Sequence, residues 1–540
     1  MRLIVKIQVK KRFKIVYKMK LKPFIALLLP VLVLASCKED FIERPSLSGT
    51  TTGNYYNNAE EVRGATSTLY SGLPWRNYES RAQDAIGDVM GGNMFTYTDV
   101  EYLNFTVSSA SDRIGAAWGA FYKIIGYANV MIKTFEEKKA TGGGAAYLDP
   151  AIAECHFIRG MVFFYIARTW GAAPIITDPG ETALSGNFNI PRYLQKDVLR
   201  FALEELKMAE AGLPETDVPG RVTKYSAKGM MAKLYLYTKD YANAKAKAEE
   251  VINSGKYSLV SDYNGMFTKM SMNNNPESLF SIQHQFSQDP WGTGNLKNPD
   301  RGAGALRTAE ADAWEMYIPT LDILQEYEFG DLRRKWSVME HGWINSSWKP
   351  QRVNAPKYNE FMANGFRYDT IQPTADGGSL NATRSNIAKY FAGPGKSFGG
   401  DPVLGQNSGN NVVLLRYADV LLIYAEATLG VAASTTDAKA LEALNLVRER
   451  AGLPARTSFT LDDILHERRV EFAFEGDYWY DIQRQGYAKA KSIIEKQNRG
   501  TVTGANYITN FTEDKMYLPI PAGEIVQDPE LSKEPVPYYN

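Results

Sequence analysis

Residues 460–484 read TLDDILHERRVEFAFEGDYWYDIQR, and how they are read decides the rest. Thr460 with Asp463 three places on makes a capping box, and Asp462 and Asp463 put acid where the helix dipole favours it. Leu461, Ile464, Leu465 and Phe472, flanked by Val470 and Phe474, give an apolar face wide enough for a core. Gly476 is expected to stop the helix, because only glycine enters the left-handed region cheaply. Glu467, Arg468, Arg469, Glu471 and Glu475 crowd the same segment. Charges in so apolar a stretch survive burial only when paired and hydrogen-bonded. One reading makes Glu471 and Glu475 an acid/base pair; the other makes Arg468 and Arg469 their internal counter-ions. A glycosidase pair stands about 5 Å or more apart across its substrate, which two adjacent turns of one helix serve poorly. The stretch is scaffold.

Working outward, residues 225–255 read as a helix, a turn at Lys239-Asp240-Tyr241 and a second helix, as in a tetratricopeptide repeat. With Tyr241 at the turn, Ala232, Tyr235 and Ala244 fall where that repeat puts small and aromatic residues. A related unit spans residues 414–452: LLRYADVLLIYAEA, a longer turn, then a helix over 438–451. One such pair cannot bury its own apolar face, so several must stack. Further helices are expected over 59–73, ended by Pro74, over 118–135, over 151–170, and from Pro191 to about Gly212. The fold class is therefore mostly α, a tetratricopeptide-type scaffold (59–73, 115–260 and 413–484) with a tail at 485–540.

Residues 74–114 and 261–412 complete the body, and most of this sequence fits no helix period. Loops of such length are functional or disordered, and their aromatic content argues against disorder. Sugars present apolar C–H faces beside hydroxyls, so a glycan site wants flat rings next to Asn, Asp or Arg. Trp75, Asn77, Tyr78 and Arg81 have that make-up, as do Trp343 and Trp348 around Asn345. Phe95, Tyr97, Trp291 and Trp314 complete the expected ligand set, with Trp336 close by. Each tryptophan alone is better explained as a loop anchor than as a ligand platform; the expectation rests on the set.

The first 36 residues hold nine Lys or Arg and no acid, which leaves 52 basic against 61 acidic residues beyond them, a formal charge of −9. That sign disfavours nucleic acid. From Met19, which fits a start better than Met1, the chain reads MKLKPFIALLLPVLVLASC: lysines, then an apolar run too short to span a membrane. Residues 1–36 read as a signal peptide, Leu34-Ala35-Ser36-Cys37 resembles a lipobox, and residues 37–58 read as a tether carrying lipid on Cys37. The other cysteine, Cys155, reads as a buried small hydrophobe.

These runs together resemble the SusD/RagB family, the outer-membrane glycan-binding lipoproteins of Gram-negative foraging bacteria. ERRVEFAFEGDYWYDIQR is similar to its C-terminal signature and LLRYADVLLIYAEA to the helix before it. EYEFGDLRRK at 326–335 resembles the family's "GD.RR" segment, YLPIPAGEIVQDPEL from Tyr517 its closing run, and Lys38-Glu39-Asp40 its surface-export tag. In residues 151–170 the resemblance implies structural roles for Glu154 and Arg159. It further implies a lipid-anchored surface protein of the outer membrane that binds oligosaccharide or polysaccharide, hands it to a SusC-like TonB-dependent transporter, and carries out no chemistry. The alternatives are a secreted helical glycoside hydrolase and a repeat-type protein adaptor.

Catalytic motifs give no counterweight. Gly395-Lys396-Ser397-Phe398-Gly399 has the form of a hydrolase elbow but neither the strand before nor the helix after it. His156, His284, His341 and His466 share no zinc-type spacing. No cofactor is called for, and no residue pattern indicates a structural Ca²⁺.

Overall fold

Helices laid each against the next make the frame. The computed structural model describes residues 55–539 apart from 143, 179, 181–183, 187, 290–293, 370, 374–378, 382–384 and 502–503. The leader, Cys37, the tether up to residue 54 and Trp291 lie outside the described residues. Residues 56–540 form one unit. Its long helices are α1 (Ala59–Tyr70), α2 (Gly72–Glu79), α3 (Asp112–Ala140), α4 (Ala145–Trp170) and α5 (Gln195–Gly212). There follow α6 (Lys224–Tyr237), α7 (Tyr241–Asn253), α8 (Tyr417–Leu429), α9 (Ala438–Arg450) and α10 (Leu461–Glu471). From α2 to α9 each packs on its successor. The chain is a mostly α, tetratricopeptide-like protein.

Small residues set the closeness of the stack. A Cβ on Gly160 of α4 would stand 2.9 Å from the Ala202 carbonyl oxygen of α5, and one on Gly212 would stand 2.8 Å from Ala153 Cβ. Ala232 and Ala244 are fully buried where α6 meets α7, as the repeat pattern requires. Paired charges fix the register: Arg159 grips Glu205 at 2.7 Å, and Glu154 meets Arg221 at 2.8 Å.

Several boundaries differ from the sequence reading. Pro74 does not end a helix; it sits in the first turn of α2, where its missing N–H costs nothing. Pro191 precedes α5 by four residues, in an extended segment whose Tyr193 bridges both Ala173 and Val536. Residues 412–416 form strand β4 (Val412–Arg416), paired antiparallel with β2 (Ser278–Ile282), so the helix read from Leu414 begins at Tyr417. Residues 74–114 are not irregular throughout: Ala82–Asp84 run into a π-helical turn, Ala85–Val89.

The signature helix α10 carries the expected capping box, both hydrogen bonds present. It stops at Glu471, five residues before Gly476, because its last carbonyl is taken by side chains. Tyr263 Oη (2.6 Å), Arg416 Nη2 (2.9 Å) and Lys389 Nζ (3.3 Å) all donate to Glu471 O. Phe474 then takes φ 68° and Gly476 φ 83°, and this turn docks on the π-helical turn so closely that a Cβ on Gly87 would lie 2.0 Å from the Gly476 carbonyl oxygen. Arg499, also fully buried, donates to the carbonyls of Val89, Met90 and Leu103 and locks the same region.

Candidate functional site

Glu467, Arg468, Arg469 and Glu471 of α10, and Glu475 just beyond it, are buried and paired, but not with one another. Arg468 holds Asp419 (2.8 Å) and Asp481 (2.9 Å), and Arg469 holds Asp322 (2.6 Å) and Glu326 (2.9 Å). Glu471 is held by Arg416 (2.6 Å), Arg333 (3.1 Å) and Arg450. Glu475 is held by Arg416 (2.8 Å) and Lys389 (2.7 Å). The expected pairing is therefore corrected: Arg468 and Arg469 are not the counter-ions of Glu471 and Glu475, and each of these charges takes its partners from other segments. Burial by itself would raise the Glu471 carboxyl; Arg450, Arg416 and Arg333 outweigh it and hold the group well below the usual carboxylate range. Burial pushes the Lys389 ammonium down to about 8 against the pull of Glu475. The space beside Arg416, Glu475, Lys233 and Asp477 is about 20 Å³, enough for a single water and closed to a substrate.

The expected ligand set divides on folding. Trp75 and Tyr78 are corrected to core residues: both rings are at most 1% exposed, Trp75 Nε1 donates to Leu69 O at 2.8 Å, and Tyr78 packs 4.6 Å from Phe121. A ring without exposed surface offers no face to a sugar. Residues Trp75 and Tyr78 are one turn apart on α2, and the helix that buries them turns Asn77 outward to solvent. Trp348 is also nearly closed off, in a second small core with Tyr358, Phe366 and Phe391. Trp343 lies 5.5 Å from it and donates from Nε1 to Lys335 O. Trp343 and Trp336 line a cleft of about 480 Å³ with Asn264 and His341.

Arg81, Phe95, Tyr97 and Trp314 are carried on neighbouring segments. Strand β1 (Met94–Thr96) pairs with β3 (Tyr317–Pro319), setting Phe95 opposite Ile318. Phe95 meets the 49%-exposed Tyr97 edge-on at 4.8 Å. Three residues before β3, half-buried Trp314 has the Arg81 guanidinium 5.7 Å from its ring centre. Arg81 is held in turn by Asp300 at 3.1 Å. Burial raises the Asp300 carboxyl to about 6, although Arg81 pulls it down. Phe95 with Tyr97 and Arg81 with Trp314 are thus two pairs on segments that the β1–β3 pairing joins.

Sequence reasoning missed a cleft of about 720 Å³ lined by Gly304, Arg307, Thr308, Ala313, Gln351, Arg352, Val353 and Phe398. It is assembled from three separate segments, so no local spacing could announce it. Among the described residues no group of three or more His, Cys, Asp or Glu could hold a metal ion, and no helix is long and apolar enough to cross a membrane.

Comparison with known proteins agrees with this architecture. Residues 236–539 match the family described as "SusD family", and residues 58–236 match one described as "Starch-binding associating with outer membrane". A SusD-like protein of Bacteroides ovatus is 29% identical over 94% of this chain and 96% of its own length. SusD-like protein P2 of Formosa agariphila is 26% identical over 80% and 82%. A crystal structure with xylogluco-oligosaccharide is 29% identical, with TM-score 0.75 over 89% of this chain and 99% of its own. A laminarin-binding SusD-like protein, 22% identical with TM-score 0.66 over 88% and 98%, shares the fold. With one family matched over more than half its length, the chain belongs to the SusD family, whose members bind their ligands and are not enzymes.

Proposed function

We propose that the chain is a glycan-binding lipoprotein of the outer membrane, anchored through Cys37, that captures oligosaccharide and delivers it to a SusC-like TonB-dependent transporter. The reading is carried by one observation: the neighbour crystallised with xylogluco-oligosaccharide matches this chain along nearly its whole length. Taken together as one ribbon, Arg81, Phe95, Tyr97 and Trp314, with Asn77 exposed on α2, support it, since they offer ring surface and polar groups of the kind a glycan needs. Trp343, in its own cleft, is assigned to the ligand as well, and Trp291, outside the described residues, is kept in the set on its sequence alone.

The test is affinity electrophoresis of the detergent-purified full chain in gels containing starch, xyloglucan or laminarin. Retardation by at least one polysaccharide, without release of reducing ends, is the expected result. Unretarded migration in a panel of neutral and charged glycans, or turnover of any of them, would overturn the reading. Metabolic labelling with palmitate, lost in Cys37→Ser, tests the anchor.

A further inference from the structure

The cleft that Ala313 lines, one residue from Trp314, carries positive charge. Its lining contains Arg307 and Arg352 and no carboxylate, in a chain that beyond residue 36 is formally negative. Its volume of about 720 Å³ lies within the usual range for ligand sites, roughly 300–1,000 Å³.

Arg352 is held in place before any ligand arrives. Its backbone N–H donates to Asn359 Oδ1 at 2.9 Å and its carbonyl accepts from Asn359 Nδ2 at 3.0 Å. The guanidinium lies 4.6 Å from the centre of the Tyr358 ring and donates from Nη2 to Gly304 O. Tyr358 Oη itself donates to Ala305 O, so the ring cannot swing away. A planar guanidinium fixed on a ring loses little further freedom when its remaining N–H groups take up an anion.

Arg307 is the looser of the two. Its side chain is 64% exposed and touches Asp312 at 3.5 Å, a contact water screens heavily. Glu315, the carboxylate beside Gly304, is engaged through Oε1 by Asn386 Nδ2 at 3.0 Å. Phe398, half-buried at the end of the turn Lys396–Phe398, supplies a ring, and Gln351 supplies an amide. Ring, amide and two guanidiniums match a sugar bearing a negative charge: the C–H face lies on the ring and the anion meets the arginines.

We infer that this cleft is a subsite for an anionic sugar residue, one carrying a carboxylate or a sulfate ester, and that it gives the protein a preference for charged over neutral glycans. The inference rests on the glycan-binding reading and adds the class of glycan.

Isothermal titration of the full chain in detergent with three oligosaccharides of equal length, one neutral, one built of uronic acids and one sulfated, separates the cases. An anionic chain should bind about tenfold tighter than the neutral one, and the preference should shrink at high salt. Whether the uronate or the sulfated chain is the tighter tells which anion the arginines hold. Arg307→Ala should cut the preference while leaving neutral binding in place, and Arg352→Gln should do so with Tyr358 still covered. Equal affinity for neutral and both anionic chains, or a preference surviving in the double variant, would sink the subsite and leave the glycan reading standing. Binding of none of the three would remove both.

Discussion

Arg416 and Glu471 are separated by 55 residues of sequence and by 2.6 Å in space, Nη1 to Oε1, with neither side chain more than 1% exposed. The same guanidinium reaches Glu277 at 2.7 Å and Glu475 at 2.8 Å. One arginine at the end of a strand thus gathers three acids and ties β4 to the signature helix.

Arg416→Met removes that centre and leaves Glu277, Glu471 and Glu475 each one partner short in the core, with Arg450, Arg333 and Lys389 still holding them. Losing one partner of a buried ion pair costs about 3–5 kcal/mol, so the urea midpoint should fall sharply with the slope unchanged. A midpoint equal to wild type would show that the network adds nothing to stability.

Tryptophans of one loop region should separate into two classes. Trp75→Ala empties a site in the main core and should cost about 3–5 kcal/mol of stability, with glycan affinity per folded molecule kept. Trp314→Ala should lose affinity and leave the unfolding midpoint within about 1 kcal/mol of wild type. Calorimetric titration beside denaturant unfolding reads both; the reverse pattern would displace the ribbon as the ligand face.

Glu79 makes a pH-dependent contribution of definite sign. Burial raises its carboxyl to about 8, against the pull of Lys297 and Arg76 and with that of Asp84 and Asp300, and His284 Nε2 lies 3.7 Å away. The fold therefore binds a proton that the unfolded chain has already released. Between the ordinary value of 4.5 and about 8 stability should decline as pH rises. Glu79→Gln keeps the shape without the charge and should flatten that decline. Parallel stability–pH curves for the two proteins would contradict it.

Gly87→Ala pushes a methyl group into the Gly476 carbonyl. Since the obstacle is backbone, the π-helical turn must shift, at a cost of about 3 kcal/mol or more. Thermal unfolding checks this; a Tm unchanged from wild type would mean that the two turns are not in register as described.

The α class, the repeat pair at 225–255 and the scaffold character of residues 460–484 were legible because each depends on local spacing. Thr460 and Asp463 announce a helix start by themselves, and Ala232 with Ala244 announce a close crossing. The partners of Glu471 were not legible, since Arg333, Arg416 and Arg450 lie on three other segments. Nor could composition tell Trp75 from Trp314. Both stand in polar, aromatic runs, and only the amphipathic register of α2 sends one inward. Arg352 escaped notice because its neighbours across the cleft, Gly304 and Arg307, come from a segment over forty residues earlier.

The three carbonyls that receive Arg499 belong to residues translated some four hundred positions before it. A ribosome must therefore deliver almost the entire polypeptide before the front of the molecule can close. Contacts of such long range form slowly, so residues 89–103 close onto Arg499 late in folding, and a product terminated before residue 499 leaves the carbonyls of Val89, Met90 and Leu103 without those donors.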